Sequence, residues 1–334
     1  MMPTPKDGAD MKRRDFMVGL GATAAGSLAP RIVHAQEPGR TYRLAAVFGS
    51  PKAAPFIAAF FDELRALGFM DGQNLKLEAR YGLQGELPSE AVDAIIKFQP
   101  DAIYSSSERW SRVLWDAMPS VPIVCLSSDL IGSGLLKSLA RPDSGVTGVS
   151  FFGPELDGKR QQILLEAVPS ARRIAMLGDG LTTTPAQINA LQEAARAGGV
   201  ESSVFYIRSS EDVVPVMDQI KASGAAAVNV MASILASSNR KLLFERATAL
   251  RLPAIYEWPE MAEEGGLLGY GARLSGIFRQ AARMVAKVFR GTRPAEIPVE
   301  QPTQFELVVN LRAAKAIDLE IPAGLVLRAD KLIE

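Results

Sequence analysis

Short apolar runs alternate with stretches whose apolar positions recur every three or four residues, and the pattern continues along most of the chain. Leu44-Ala45-Ala46-Val47-Phe48 reads as a buried strand. Phe56, Ile57, Phe60, Phe61, Leu64 and Leu67 then form a stripe on one helix face, ended by Gly68 and Asp71-Gly72. Leu75 to Ala79 alternates as a strand nearer a sheet edge does. A helix over 87–98, a strand over 102–104, a helix over 108–117 and a strand over 123–126 complete a first block. The pattern recurs with strands at 174–177, 203–207, 226–230 and 253–256, and with helices around Ile188-Leu191-Ala195, 213–220 and 239–250. Such alternation predicts parallel sheets covered by helices on both faces. The block endings Val121-Pro122-Ile123-Val124 and Leu252-Pro253-Ala254-Ile255 are alike, which points to a structural duplication. A single sheet of eight or more parallel strands would be wide. We therefore expect two α/β lobes. Beyond Tyr270 come a long helix (Leu274, Ile277, Phe278, Ala281, Met284, Val285 and Val288 on one face), a Pro-punctuated stretch and a strand from Phe305 to Val309. Such a tail can recross between lobes and make a hinge.

The amino terminus has a different character. Lys12-Arg13-Arg14-Asp15-Phe16-Met17, a weakly apolar Gly/Ala stretch and Val33-His34-Ala35 have the order of a secretory leader, and paired arginines before Phe mark the twin-arginine variety. Cleavage near Ala35 leaves 299 residues with 32 basic and 34 acidic side chains, a net charge of −2. No basic run interleaved with aromatics occurs, so no nucleic-acid partner is expected. Cleavage also removes the sole histidine. A Ser-His-Asp or Cys-His triad cannot then be built, and zinc sites of the usual Cys/His type are excluded. No catalytic residue, cofactor or metal is expected. Cys125, alone within Pro122-Ile123-Val124-Cys125-Leu126, reads as a buried thiol. Gly19-Leu20-Gly21 lacks the preceding strand of a dinucleotide loop. Ser238-Asn239-Arg240-Lys241 matches an acyl-transfer spacing, but lacks the partner motifs and reads more simply as a helix cap.

The remaining candidates lie at the carboxyl ends of expected strands, where open α/β sheets bind ligands. They are Phe48, Gly49 and Ser50; Ser106, Ser107 and Trp110; Ser128 and Asp129; Phe152; Asp179; Ser233; Trp258; and Tyr270. Serines opening a helix suit a carboxylate, Asp129 or Asp179 an ammonium group, and the aromatic residues an apolar wall.

Several phrases carry a resemblance over essentially the whole chain: Leu67-Gly68-Phe69 with Asp71-Gly72-Gln73-Asn74-Leu75; Leu139-Ala140-Arg141-Pro142 with Gly145-Val146-Thr147-Gly148-Val149; Leu252-Pro253-Ala254-Ile255-Tyr256; Gly265-Gly266-Leu267 with Tyr270-Gly271; and Pro298-Val299-Glu300-Gln301-Pro302-Thr303. In these the chain resembles the tryptophan/aromatic amino-acid type of ABC-transporter substrate-binding proteins. The resemblance implies a type I periplasmic-binding-protein fold, two Rossmann-like lobes each with a parallel sheet, joined by three crossings. Lobe I is expected over 36–152 with 272–291 returning to it, and lobe II over 153–271 with 292–334 returning toward it. The implied function is periplasmic capture of a small carboxylate-bearing molecule, such as an amino acid or aromatic acid, by hinge closure. The implied partner is a membrane permease, and a monomer is expected. The alternatives are a periplasmic sensor serving a signalling receptor, and an exported enzyme using Asp129 and Asp179 as paired acids.

Overall fold

The structure is a computed structural model, and it describes residues 39–334 apart from 84, 143, 152, 153, 181 and 182. The expected leader and His34 lie outside the described residues.

The first lobe runs β1 (Tyr42–Val47), α1 (Pro55–Ala66), β2 (Leu75–Arg80), α2 (Ser89–Phe98), β3 (Ala102–Ser105), α3 (Glu108–Ala117), β4 (Ile123–Ser127) and β5 (Val146–Ser150). Its five strands are all parallel, in the order β2-β1-β3-β4-β5. Strand β2 is the half-exposed edge that its alternation predicts, whereas β3 and β4 are buried throughout. The second lobe runs α4 (Pro154–Ala167), β6 (Arg173–Asp179), α5 (Pro185–Ala197), β7 (Glu201–Ile207), α6 (Val213–Ala222), β8 (Ala227–Val230), α7 (Ile234–Ser238), α8 (Arg240–Ala249), β9 (Ala254–Tyr256), α9 (Pro259–Glu263) and β10 (Leu268–Gly271). There are two separate sheets, not one wide one.

After β10 the chain returns to the first lobe as α10 (Leu274–Phe289), which packs along α1. The stripe on α1 meets the stripe on α10 in one apolar core, where Phe56 and Phe278 stand 4.7 Å apart. Tyr42, Phe69 and Phe289 close the far end of this core, with ring centroids about 5 Å apart. The chain then crosses again to supply β11 (Glu306–Asn310), α11 (Leu311–Ala316), α12 (Ala323–Val326) and β12 (Lys331–Ile333) to the second lobe. The second sheet thus has seven strands, ordered β12-β11-β10-β9-β8-β6-β7. Strand β11 runs antiparallel to β10, which departs from an all-parallel sheet. The cause is the route: β10 and β11 are separated by a full excursion through the other lobe, not by a helical crossover that restores direction.

The chain therefore passes between the lobes after β5, after β10 and after α10. The last passage is pinned to β5 by backbone pairing. Glu300 N–H donates to Gly148 O at 3.0 Å, and Ser150 N–H donates to Glu300 O at 2.9 Å. The Thr147 hydroxyl adds a bond to Ile297 O at 2.7 Å. Strand β5 can also lie close to β4 because Gly148 carries no side chain, since a Cβ there would stand 1.8 Å from the Cys125 carbonyl oxygen. Gly148→Ala should therefore cost at least about 1–3 kcal/mol as an overpacked site. Chemical denaturation of the purified protein measures this, and an unchanged midpoint would contradict the packing described.

Candidate functional site

The carboxyl ends of both sheets open onto one cavity of about 1020 Å³, counted out to its mouth. The first lobe contributes Phe48, Gly49 and Ser50 after β1, Ser106 to Glu108 where α3 begins, and Leu126 to Ser128 at the end of β4. The second lobe faces them with Ala232 and Ser233 after β8, Ser237 and Arg240 where α7 gives way to α8, and Glu257 and Trp258 after β9. Phe151, on the first crossing, and Leu274 and Phe278, on α10, close the hinge side. Five aromatic rings line the space: Phe48, Phe56, Phe151, Trp258 and Phe278. Phe151 and Trp258 meet across the crossing with centroids 5.0 Å apart.

Glu257 is only 4% exposed. Its carboxylate accepts the Ser237 hydroxyl at 2.7 Å and the Ser233 N–H at 3.4 Å, both neutral donors. Burial pushes its pKa up to about 7, opposed by these bonds, by the more distant charge of Arg160 and by a bond from the Trp258 side chain. Arg160 is itself buried against Asp157, at 2.5 Å, and donates to the Tyr270 carbonyl. Glu108 at the first turn of α3 and Glu260 at the first turn of α9 are also raised by burial. Arg240 is paired with Glu264 and donates to the Ser237 carbonyl at 3.1 Å.

The backbone that presents Glu257 and Trp258 is held by glycine. A Cβ at Gly271 would stand 2.1 Å from the Glu257 carbonyl oxygen, and one at Gly269 2.4 Å from that of Trp258. The Tyr270-Gly271 phrase thus serves the close approach of β10 to the start of α9.

Of the residues expected from the sequence, Phe48, Gly49, Ser50, Ser106, Ser107, Ser128, Ser233 and Trp258 line this cavity. Asp179 lies one bond behind the wall, buried, accepting the Ser233 hydroxyl at 3.0 Å. Trp110 is not on the wall. It is 2% exposed in the first-lobe core, with its indole N–H on the Gly85 carbonyl, because the apolar face of α3 must cover its own sheet. Asp129 lies instead in a neighbouring opening with Arg112, Thr184 and Gln187, and its carboxylate accepts the Ile131 and Gly132 N–H groups. It closes its own turn there, in the other lobe from Asp179. Tyr270 stands beside Phe305 and is absent from the lining. Phe152 lies outside the described residues. Asn239 opens α8 without a side-chain cap; its amide donates back to Leu235 O. Sequence reasoning passed over Glu108, Ser237, Arg240, Glu260, Glu264 and Phe151. For Glu257 the available signal is its place directly after the strand expected over 253–256 and directly before Trp258.

Among the described residues no group of three potential metal ligands occurs, and no helix is long and apolar enough to cross a membrane. A sequence model of the family described as "ABC transporter substrate binding protein" matches residues 51–333. A curated relative, the tyrosine-binding protein of Clostridioides difficile (strain R20291), is 22% identical over 268 residues, 78% of this chain and 76% of its own. Among solved structures, a conserved domain protein of Vibrio cholerae has a TM-score of 0.79 at 22% identity, covering 88% of this chain and 100% of the other. A streptococcal ABC domain in complex with L-Trp has a TM-score of 0.76 at 18% identity, with the same coverage.

The buried acid makes a prediction for the ligand-free protein. Glu257 titrates near 7 when folded, against an ordinary value of 4.5. The stability gained by keeping it protonated is fully present below about pH 4.5 and is lost as the pH rises through about 7, of order 3 kcal/mol in all. Glu257→Gln should remove that part of the slope, while Glu108, Glu260 and Asp157, raised by burial too, keep theirs. Denaturant unfolding at pH 5 and pH 8 of both proteins provides the measurement.

Proposed function

Since the chain belongs to the ABC transporter substrate-binding protein family, we propose that it is an exported solute receptor that closes its two lobes on a small organic molecule and presents it to a membrane permease. Proteins of this family bind small ligands and work with ABC permeases. The observation that carries the reading is a single cavity walled by strand ends from both sheets. A ligand there touches both lobes only when they are together, so it shifts an open–closed equilibrium by its differential affinity. Moving a population from 1:99 to 99:1 takes about 5.5 kcal/mol. A few charge-assisted hydrogen bonds and a desolvated ring are of that size. No chemistry on the ligand is required.

The five rings suit an aromatic or otherwise apolar body, and the relatives named above make aromatic amino acids the first compounds to try. We place the working protein outside the cytoplasmic membrane, delivered as a monomer by the twin-arginine leader and cut near Ala35. The lobes are assigned as 36–152 with 272–291 and 153–271 with 292–334.

Calorimetry of residues 36–334 against amino acids, aromatic acids and amines should find one tight ligand, and small-angle scattering should show compaction on saturation. A broad panel giving neither would sink the reading. Trp258→Ala should weaken that ligand by about 10–100-fold, the scale of a lost buried ring, with the melting temperature as a folding control. Changing Arg13 and Arg14 together to Lys should leave the uncut precursor inside the cell, as fractionation and intact mass would show.

A further inference from the structure

We propose that the cavity recognises its ligand by an ammonium group held at Glu257 among the aromatic walls, so that an arylalkyl amine binds about as well as the matching amino acid and the matching carboxylic acid does not. This rests on the receptor reading above and specifies which end of the ligand that receptor reads.

The charges lining the cavity point one way. Four carboxylates, Glu108, Glu257, Glu260 and Glu264, face a single basic side chain among the described residues, Arg240. Arg240 is committed to Glu264 and to the Ser237 carbonyl. An incoming carboxylate would therefore find no uncommitted cation. The expected anion seat, the start of α3, already carries a carboxylate of its own, because Glu108 occupies the first helical position beside Ser106 and Ser107. A like charge at that distance disfavours a second anion.

An ammonium group meets the opposite situation. Glu257 is buried on the cavity wall with neutral donors only, and the nearest buried cation, Arg160, is already joined to Asp157. A buried carboxylate without a direct cationic partner is costly, and a ligand ammonium supplies that partner together with charge-assisted hydrogen bonds. Trp258, Phe151 and Phe48 present aromatic surface to the same space, which suits a cation next to an aryl group.

The groups facing Glu257 set the pH response. They are Ser233 and Ser237 from the α7 turn, Asp179 behind Ser233, Arg160 with Asp157 from α4, Arg240 from α8, Glu260 and Glu264 around α9, and Glu108 across the cleft. A ligand amine stays protonated up to about pH 10, as lysine does. The carboxylate is the group that titrates, being held near 7 by burial. Amine affinity should then rise roughly fivefold from pH 6 to pH 7 and level off above about pH 8.

Calorimetry with two matched sets tests this: tryptamine, L-tryptophan and indolepropionate, and phenethylamine, L-phenylalanine and hydrocinnamate. The expected result is amine and amino acid within about tenfold of each other, and the acid weaker by at least about a hundredfold. Glu257→Gln should lose at least about thirtyfold for the amine and flatten its pH profile, with an unchanged circular dichroism spectrum. An acid that binds as well as its amine overturns the proposal. So does binding of none of the six when the wider panel yields another ligand, and that outcome leaves the receptor reading intact. A blank across the whole panel removes both. The ligand comparison uses the unaltered protein, so it decides the matter even if the variant fails to fold.

Discussion

A carboxylate taken out of water at the end of β9 is the constraint around which the second lobe is arranged. Glu257 needs donors, and the chain supplies them with the N–H of Ser233, which caps α7, and the hydroxyl of Ser237 within that helix. The Ser233 hydroxyl also bonds Asp179 and caps α7, so with its N–H on Glu257 this one residue ties β6, α7 and the end of β9. Beneath them Arg160 and Asp157 form an ion pair that is 1% exposed on each side, with Arg160 reaching the β10 carbonyl at Tyr270. Breaking one partner of such a pair leaves a buried charge, so these groups stand or fall together.

The first lobe is built on the opposite plan. Its core is apolar and aromatic, with Phe48 and Tyr104 in ring contact with each other and with both Phe60 and Phe278. Its share of the cavity is serine hydroxyls and apolar side chains, Phe48, Phe56, Leu126 and Phe278 among them. One wall is therefore nearly neutral, Glu108 aside, and the other carries most of the charge. On the function proposed above, a ligand between them would be oriented by the second lobe and covered by the first.

The sheets were legible because β1, β3, β4, β6, β8 and β9 are short apolar runs, and because α1, α3 and α10 show a clear apolar stripe. Helix α4 was not legible. Its buried face carries Asp157, Arg160 and Gln161, so polar residues occupy the positions that periodicity reads as solvent. Strand β10 is half glycine and α9 is one turn opened by a proline, which gives no periodic signal at all. In the site, the rule that ligands meet strand ends pointed to the edge of both sheets at which the cavity opens. It could not tell Trp110, turned into its own core, from Trp258, which is buried but lines the cavity. Nor could it see that Asp129 would be spent on its own turn, since both facts depend on side-chain direction.

The return of α10 to the first lobe also has a consequence for synthesis. The apolar face of α1 emerges early from the ribosome, yet the helix that covers it is made only after α4 to β10 of the second lobe. Until then Phe56, Phe60 and Leu64 have no lasting cover from that side. The lobe whose synthesis starts first thus cannot finish until α10 is made, and the contacts of α1 with α10 are among the most distant in sequence that the chain makes. A nascent chain of this design carries an exposed hydrophobic strip through most of its translation, so holding it in solution is work for chaperones rather than for the chain.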